Sequence, residues 1–170
     1  MLRKIHLPPG GRLITPLLLK VLRGLGCFFE KHPKRTPYPQ EVTMDEKYSS
    51  ILKSVQKPGR YSGGEYGQTI KDLSDGRVKA RFAFCFPDTY EIGMSNLGVR
   101  ILYGALNREE DIWCERAYAP WADMEEKMIE HDMPLCALES GDPLSMFDIV
   151  GFTLQYEMCY TNVLQMLKLA

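Results

Sequence analysis

Residues 78–106 read VKARFAFCFPDTYEIGMSNLGVRILYGAL, and the fold is decided in that stretch. Its first part, residues 78–86, is rich in β-formers and ends at Pro87-Asp88, a pair that stops a strand and favours a turn. Further on, Leu97, Ile101, Leu102, Ala105 and Leu106 recur at helical spacing, and Ser95 or Asn96 stands where an N-cap is needed. A strand hands on to a helix.

The same handover repeats downstream. Residues 112–118 read as a second strand, followed by Pro120 at a helix start, with Trp121, Met124 and Met128 on one face of a charged helix that ends near His131. Residues 135–138 read as a short third strand before the turn Ser140-Gly141-Asp142-Pro143, and residues 147–154 form the most apolar strand. Val163, Leu164 and Leu167 then restore helical periodicity over residues 157–169. Parallel strands need helical crossovers, so the alternation predicts an α/β fold: a doubly wound, mainly parallel sheet, Rossmann-like or flavodoxin-like. Ligands of such sheets bind beyond the carboxyl ends of the strands, which points to the loops starting at Pro87, Ala119, Glu139 and Gln155. Four strands fall short of the roughly five or six of a mean sheet, so the fold reads as incomplete at its C-terminus.

Upstream, residues 48–55 suggest a short helix, and residues 57–67, KPGRYSGGEYG, an ordered loop. Its glycines permit positive φ, Tyr61 and Tyr66 can pin it to the body, and its amides with Arg60 can either cradle an anion or simply wrap the domain. It is neither the phosphate loop G-x-x-x-x-G-K-S/T nor a G-x-G-x-x-G turn. Residues 13–29 place Ile14, Leu18, Leu22, Leu25 and Phe29 at helical spacing, interrupted by Lys20 and Arg23 before a bilayer could be spanned. The proline-rich basic stretch after it reads as a linker. Residues 1–43 are therefore a membrane-surface helix, a partner-docking helix, or an extension upstream of a start at Met44. The chain divides into that basic extension, a helix and Gly-rich loop over 44–76, and an α/β domain over 77–170.

The 170 residues carry 45% hydrophobic and 25% charged residues with a net charge of −1, the balance of one globular domain. That net charge conceals an asymmetry: residues 1–43 hold eight Lys/Arg against two acids, and the remainder thirteen against twenty. An acidic body excludes a broad nucleic-acid surface. Cysteines at 27, 85, 114, 136 and 159 are too far apart for a local metal site or redox pair. Their odd count, with no secretory signal, favours buried thiols in a reducing cytoplasm.

Several motifs in fixed order carry a family resemblance. They are the stretch 84–98, FCFPDTYEIGMSNLG, the KPGRYSGGE loop, Trp113-Cys114-Glu115-Arg116, residues 119–125, residues 138–144, and residues 151–157, GFTLQYE. Together they resemble an uncharacterised family of radical SAM proteins whose N-terminus is a cobalamin-binding-like domain, over roughly residues 47–170. The resemblance implies an accessory domain that positions cobalamin or substrate for a C-terminal radical SAM domain. The 4Fe-4S cluster and S-adenosylmethionine would belong to that later domain, because the three-cysteine loop that holds such a cluster is not spelled in this chain. Relatives that bind cobalamin present D-x-H-x-x-G after the first strand. Here Asp88, Tyr90 and Gly93 take that spacing, with tyrosine in place of the cobalt-ligating histidine. The cofactor-binding residues so implied are Asp88, Thr89, Tyr90 and Gly93, with Thr153 and Leu154 beside the nucleotide tail. Residues of the same loop also have plain structural readings: a turn cap at Asp88, a left-handed residue at Gly93, a packed ring at Tyr90. Two further functions stay open, a stand-alone corrinoid- or nucleotide-binding module and a degenerate structural docking domain. Glu115, Arg116, Tyr156 and Glu157 are candidates for the crevice or for contact with a catalytic domain, and His131 reads as a surface residue.

Overall fold

The computed structural model describes residues 27–30 and 44–170. In chain order the elements are β1 (Cys27–Glu30), α1 (Met44–Leu52), β2 (Ala80–Phe86), α2 (Tyr90–Ser95), α3 (Leu97–Asn107), β3 (Ile112–Tyr118), α4 (Ala122–Glu130), β4 (Ile149–Thr153) and α5 (Tyr160–Leu169). The chain is α/β: β2 pairs in parallel with β3 on one side and β4 on the other, in the order β1-β4-β2-β3. β1 is antiparallel at the outer edge, with Cys27 opposite Thr153 and Glu30 opposite Val150. Strand 27–30 replaces the end of the helix expected over 13–29. Cys-Phe-Phe suits a pleated strand, and β4 offers an open ladder to pair with. The rest of that expected helix lies outside the described residues.

Arg81 through Phe86 are all buried, as a strand covered on both faces requires. Alternation sends Phe82, Phe84 and Phe86 to one face, against Val99, Leu102, Tyr103 and Leu106 of α3. Ala83 and Cys85 face the other way, toward Met124 and Met128 of α4 and Val163 and Met166 of α5. Each methionine buried there stabilises the fold by about 1.5–3 kcal/mol of transfer free energy.

Three local expectations change. Residues 135–138 are not a sheet strand: their donors go to three separate partners, Leu135 N to Leu169 O at 2.7 Å, Ala137 N to Asp142 O at 2.9 Å and Leu138 N to Arg116 O at 2.7 Å. Only one isolated bridge, Cys136 with Pro143, forms there, because Pro143 has no N–H with which to extend a ladder. The buried stripe of α3 is Val99, Leu102, Tyr103 and Leu106, which leaves Leu97 and Ile101 exposed. Trp121 stands at the N-cap of α4 and is half exposed, whereas Met124 and Met128, one turn and two turns on, reach the core.

Candidate functional site

The chain moves from β2 to β3 on one side and then to β4 on the other, so the sheet reverses direction between β2 and β4. Their carboxyl ends are where this topology favours a site. After β2 the backbone turns at once. Asp88 N donates to Phe86 O at 2.8 Å, Asp88 O accepts from Ala119 N at 3.0 Å, and Asp88 Oδ1 accepts from Thr89 N at 2.7 Å. Asp88 thus ties the mouth of β2 to the mouth of β3, and Thr89 becomes the N-cap position of α2 without a side-chain capping bond. Asn96 ends α2 and caps α3, its Oδ1 accepting from Val99 N at 3.1 Å.

Tyr90 packs edge-on against Tyr118 at 5.6 Å between centroids, and its hydroxyl donates to Glu65 Oε1 of the Gly-rich loop at 2.5 Å. Burial first, and the Glu65 hydrogen bond second, push the phenol up to about 12. Gly93 lies in helical conformation, and its function is steric: a Cβ there would stand 2.3 Å from Tyr118 Cε1. Four of the expected site residues, Asp88, Thr89, Tyr90 and Gly93, therefore form one packed corner over Tyr118 and the end of β2. Thr153 and Leu154 lie on the far side, past the pair Cys85–Phe152. Thr153 is buried, and its Oγ1 has no hydrogen-bond partner among the described residues. Between the two groups Asn162 Nδ2 of α5 donates to Pro87 O at 2.9 Å, closing the point of reversal. Asn162 was not picked out from sequence. A lone Asn in the first turn of a helix carries no local signal for so distant a partner.

The Gly-rich loop is held down rather than open. Arg60 pairs with Glu91 at 2.9 Å and lies 5.4 Å over the Trp121 ring, and Lys57 reaches the same carboxylate at 3.2 Å. Those bonds, Arg60 foremost, pull the Glu91 carboxyl down to about 2. Tyr61 pins the loop as expected, its hydroxyl accepting from Trp121 N at 3.1 Å, while Tyr66 is wholly exposed. Gly63 is needed twice over, for φ of +66° and because a Cβ would come within 2.4 Å of Leu138 O. Beneath the loop lies a cavity of about 30 Å³ between Tyr48, Tyr61, Tyr118, Met124 and Leu135, roomy enough to hold water.

Glu115 and Arg116, considered for the crevice, are buried in the edge of the sheet instead. Neighbours on a strand face opposite ways, and each grips the turn after residue 138 from its own side. Arg116 Nε donates to Glu139 Oε1 and its backbone N to Oε2, both at 2.6 Å. On the other face Glu115 accepts from Arg81 Nη2 at 2.5 Å and from Ser140 N at 3.0 Å, and Arg81 Nη1 reaches Asp142 at 2.7 Å. Desolvation pushes both the Glu115 and Glu139 carboxyls up, against the pull of their arginines. The clasp shields the outer edge of β3 from pairing with another strand.

Tyr90 does not fit the part of a lower cobalt ligand, and the resemblance assigns the cluster to a later domain, not to this chain. A lower cobalt ligand would need the Tyr90 oxygen, which is neutral and committed to Glu65. Cluster ligation needs gathered thiolates. Cys85 and Cys114 are fully buried with thiols pushed up by desolvation, and Cys136 is raised to about 12 by the same cause. Among the described residues no three His, Cys, Asp or Glu side chains are grouped to hold a metal ion, and no helix is long and apolar enough to cross a membrane. What the segments leaving the strand mouths do present is apolar surface: Ile92, Leu97, Trp121, Tyr156, Met158 and Tyr160 are all exposed.

Comparison with known proteins gives one match. Residues 98–170, from α3 through α5, match the model of a family described as radical SAM proteins, N-terminal. No curated protein and no solved structure matches the chain.

Proposed function

We propose that this chain supplies the N-terminal accessory domain of a radical SAM protein, over residues 44–170, and that it docks on a companion catalytic core through the carboxyl ends of its strands. The match over residues 98–170 carries the reading. The core would bring the 4Fe-4S cluster and S-adenosylmethionine, and this domain, not catalytic alone, would shape the substrate face. Helices on both sheet faces support a Rossmann-like ancestry for the domain, and a cytoplasmic location suits its buried, unpaired thiols. The exposed apolar side chains on the segments leaving the strand mouths support docking there. Cys27–Glu30 of the basic N-terminal segment adds strand β1 to the same sheet, so that stretch belongs with the domain.

We place no cobalamin in it, because Tyr90 and Gly93 serve Glu65 and Tyr118. Titration with hydroxocobalamin should leave the corrin spectrum unchanged, and a saturable shift would restore the corrinoid-binding module. Docking is tested by hydrogen exchange on a longer protein that includes the core, compared with the 170-residue chain. Residues 154–164 and Trp121 should gain protection in the longer protein. Equal exchange in both would leave the strand mouths without a partner and refute docking there.

A further inference from the structure

Met94 lies in α2, half-buried above the carboxyl half of β3. Two donors converge on its sulfur: Tyr118 Oη at 3.0 Å and Arg116 Nη1 at 3.2 Å. A thioether is a weak acceptor, so a buried phenol and a buried guanidinium are poorly matched by it. The imbalance extends further, because Arg116 Nη2 is buried and has no hydrogen-bond partner among the described residues. Arg116 cannot turn elsewhere to relieve it. Its Nε and backbone N are held by Glu139, and its guanidinium lies 4.3 Å over the Tyr103 ring. An unpaired buried donor of this kind carries its full desolvation cost. The corner is rich in fixed donors and short of one oxygen.

We propose that Met94 is a modification site whose product the fold is built to hold: the methionine sulfoxide formed with hydrogen peroxide. A sulfur lone pair attacks one peroxide oxygen and the O–O bond breaks. Sulfur loses two electrons and gains the oxygen, and the other peroxide oxygen leaves as water after proton transfer. The new S=O oxygen is a strong acceptor beside Tyr118 Oη and Arg116 Nη1, which shift outward to receive it, and beside the guanidinium that carries the unpaired Arg116 Nη2. Sulfoxide ordinarily disrupts an apolar core, and would do so at Met124, Met128 or Met166, whose surroundings are apolar. At Met94 the waiting donors offset that penalty, and the oxidised domain keeps its fold until a sulfoxide reductase restores the thioether. Met158, which is exposed, oxidises without any such structural response.

The test uses the whole chain in a Met158→Leu background, treated with graded hydrogen peroxide, with peptide mass spectrometry and thermal melting on the same samples. Met94 sulfoxide should accumulate while the melting temperature holds or rises. Met94→Gln, which carries an amide oxygen near the same place, should melt at or above the parent, and Met94→Leu, which carries no acceptor, several degrees below it. A Met94 that stays unmodified while an unfolded control oxidises overturns the proposal. So does a melting temperature that falls as Met94 sulfoxide accumulates, or a Met94→Gln variant that melts as low as Met94→Leu.

Discussion

Gly93 and Tyr118 touch where no side chain could be added: a Cβ on Gly93 would lie 2.3 Å from one ring carbon of Tyr118 and 2.4 Å from the next. Gly93→Ala should therefore destabilise the domain, since overpacking costs about 1–3 kcal/mol and the gain in helix propensity returns at most about 1. Gly104→Ala, in α3 with open space around it, should stabilise by about 0.5–1 kcal/mol. Urea unfolding of the two variants measures the contrast. A neutral Gly93→Ala would mean that the ring can move aside.

The Arg116–Glu139 clasp predicts a second asymmetry. Both side chains are buried, so Glu139→Gln leaves a guanidinium without its counter-charge and should cost about 3–5 kcal/mol. Replacing both partners at once, as Arg116→Met with Glu139→Leu, should cost much less than the sum of the single changes. Chemical denaturation of the three variants gives the coupling energy, and simple additivity would show that the pair does not act as a unit.

Glu91 predicts an acid-side dependence. Its carboxyl is held down to about 2, mainly by Arg60, so the folded state binds its proton less readily than the unfolded one. The stability it adds is present above the ordinary carboxyl range and is lost as pH falls toward 2. Melting temperatures of the parent and Glu91→Gln should converge on acidification, and a gap that stays constant with pH would contradict the assignment.

Tyr90 predicts the opposite sign at high pH. Burial and Glu65 raise its phenol from 10.0 to about 12, so its contribution is complete below the ordinary value and lost as pH rises through 12. Ultraviolet titration should show several late tyrosinates, Tyr48 and Tyr118 among them, and Tyr90→Phe should lower their number by one. An unchanged late amplitude in Tyr90→Phe would contradict the raised Tyr90 phenol.

Much of this layout was legible in local signals. Seven of the nine residues before Pro87 form β2, Asn96 caps α3, and Met124 and Met128 turn inward, because β-propensity, capping and helical periodicity act over a few residues. Segment 135–138 misled, since an apolar run of four looks the same whether its donors join one ladder or three partners. The loop residues Asp88, Thr89, Tyr90 and Gly93 lie together at the mouth of β2, while the partners that hold them, Glu65, Ala119 and Tyr118, lie elsewhere in the chain.

Sequence by itself determined the alternation of strand and helix, hence a parallel sheet with its loops at one end, because each element follows from patterns over neighbouring residues. Tertiary structure alone decided that Tyr90 bonds to Glu65, that Gly93 is reserved for the Tyr118 ring, and that Glu115 and Arg116 are buried clasps rather than crevice residues. Those outcomes depend on which distant groups the sheet brings within a few ångströms, and on how burial reweights charge, neither of which is encoded within any short stretch.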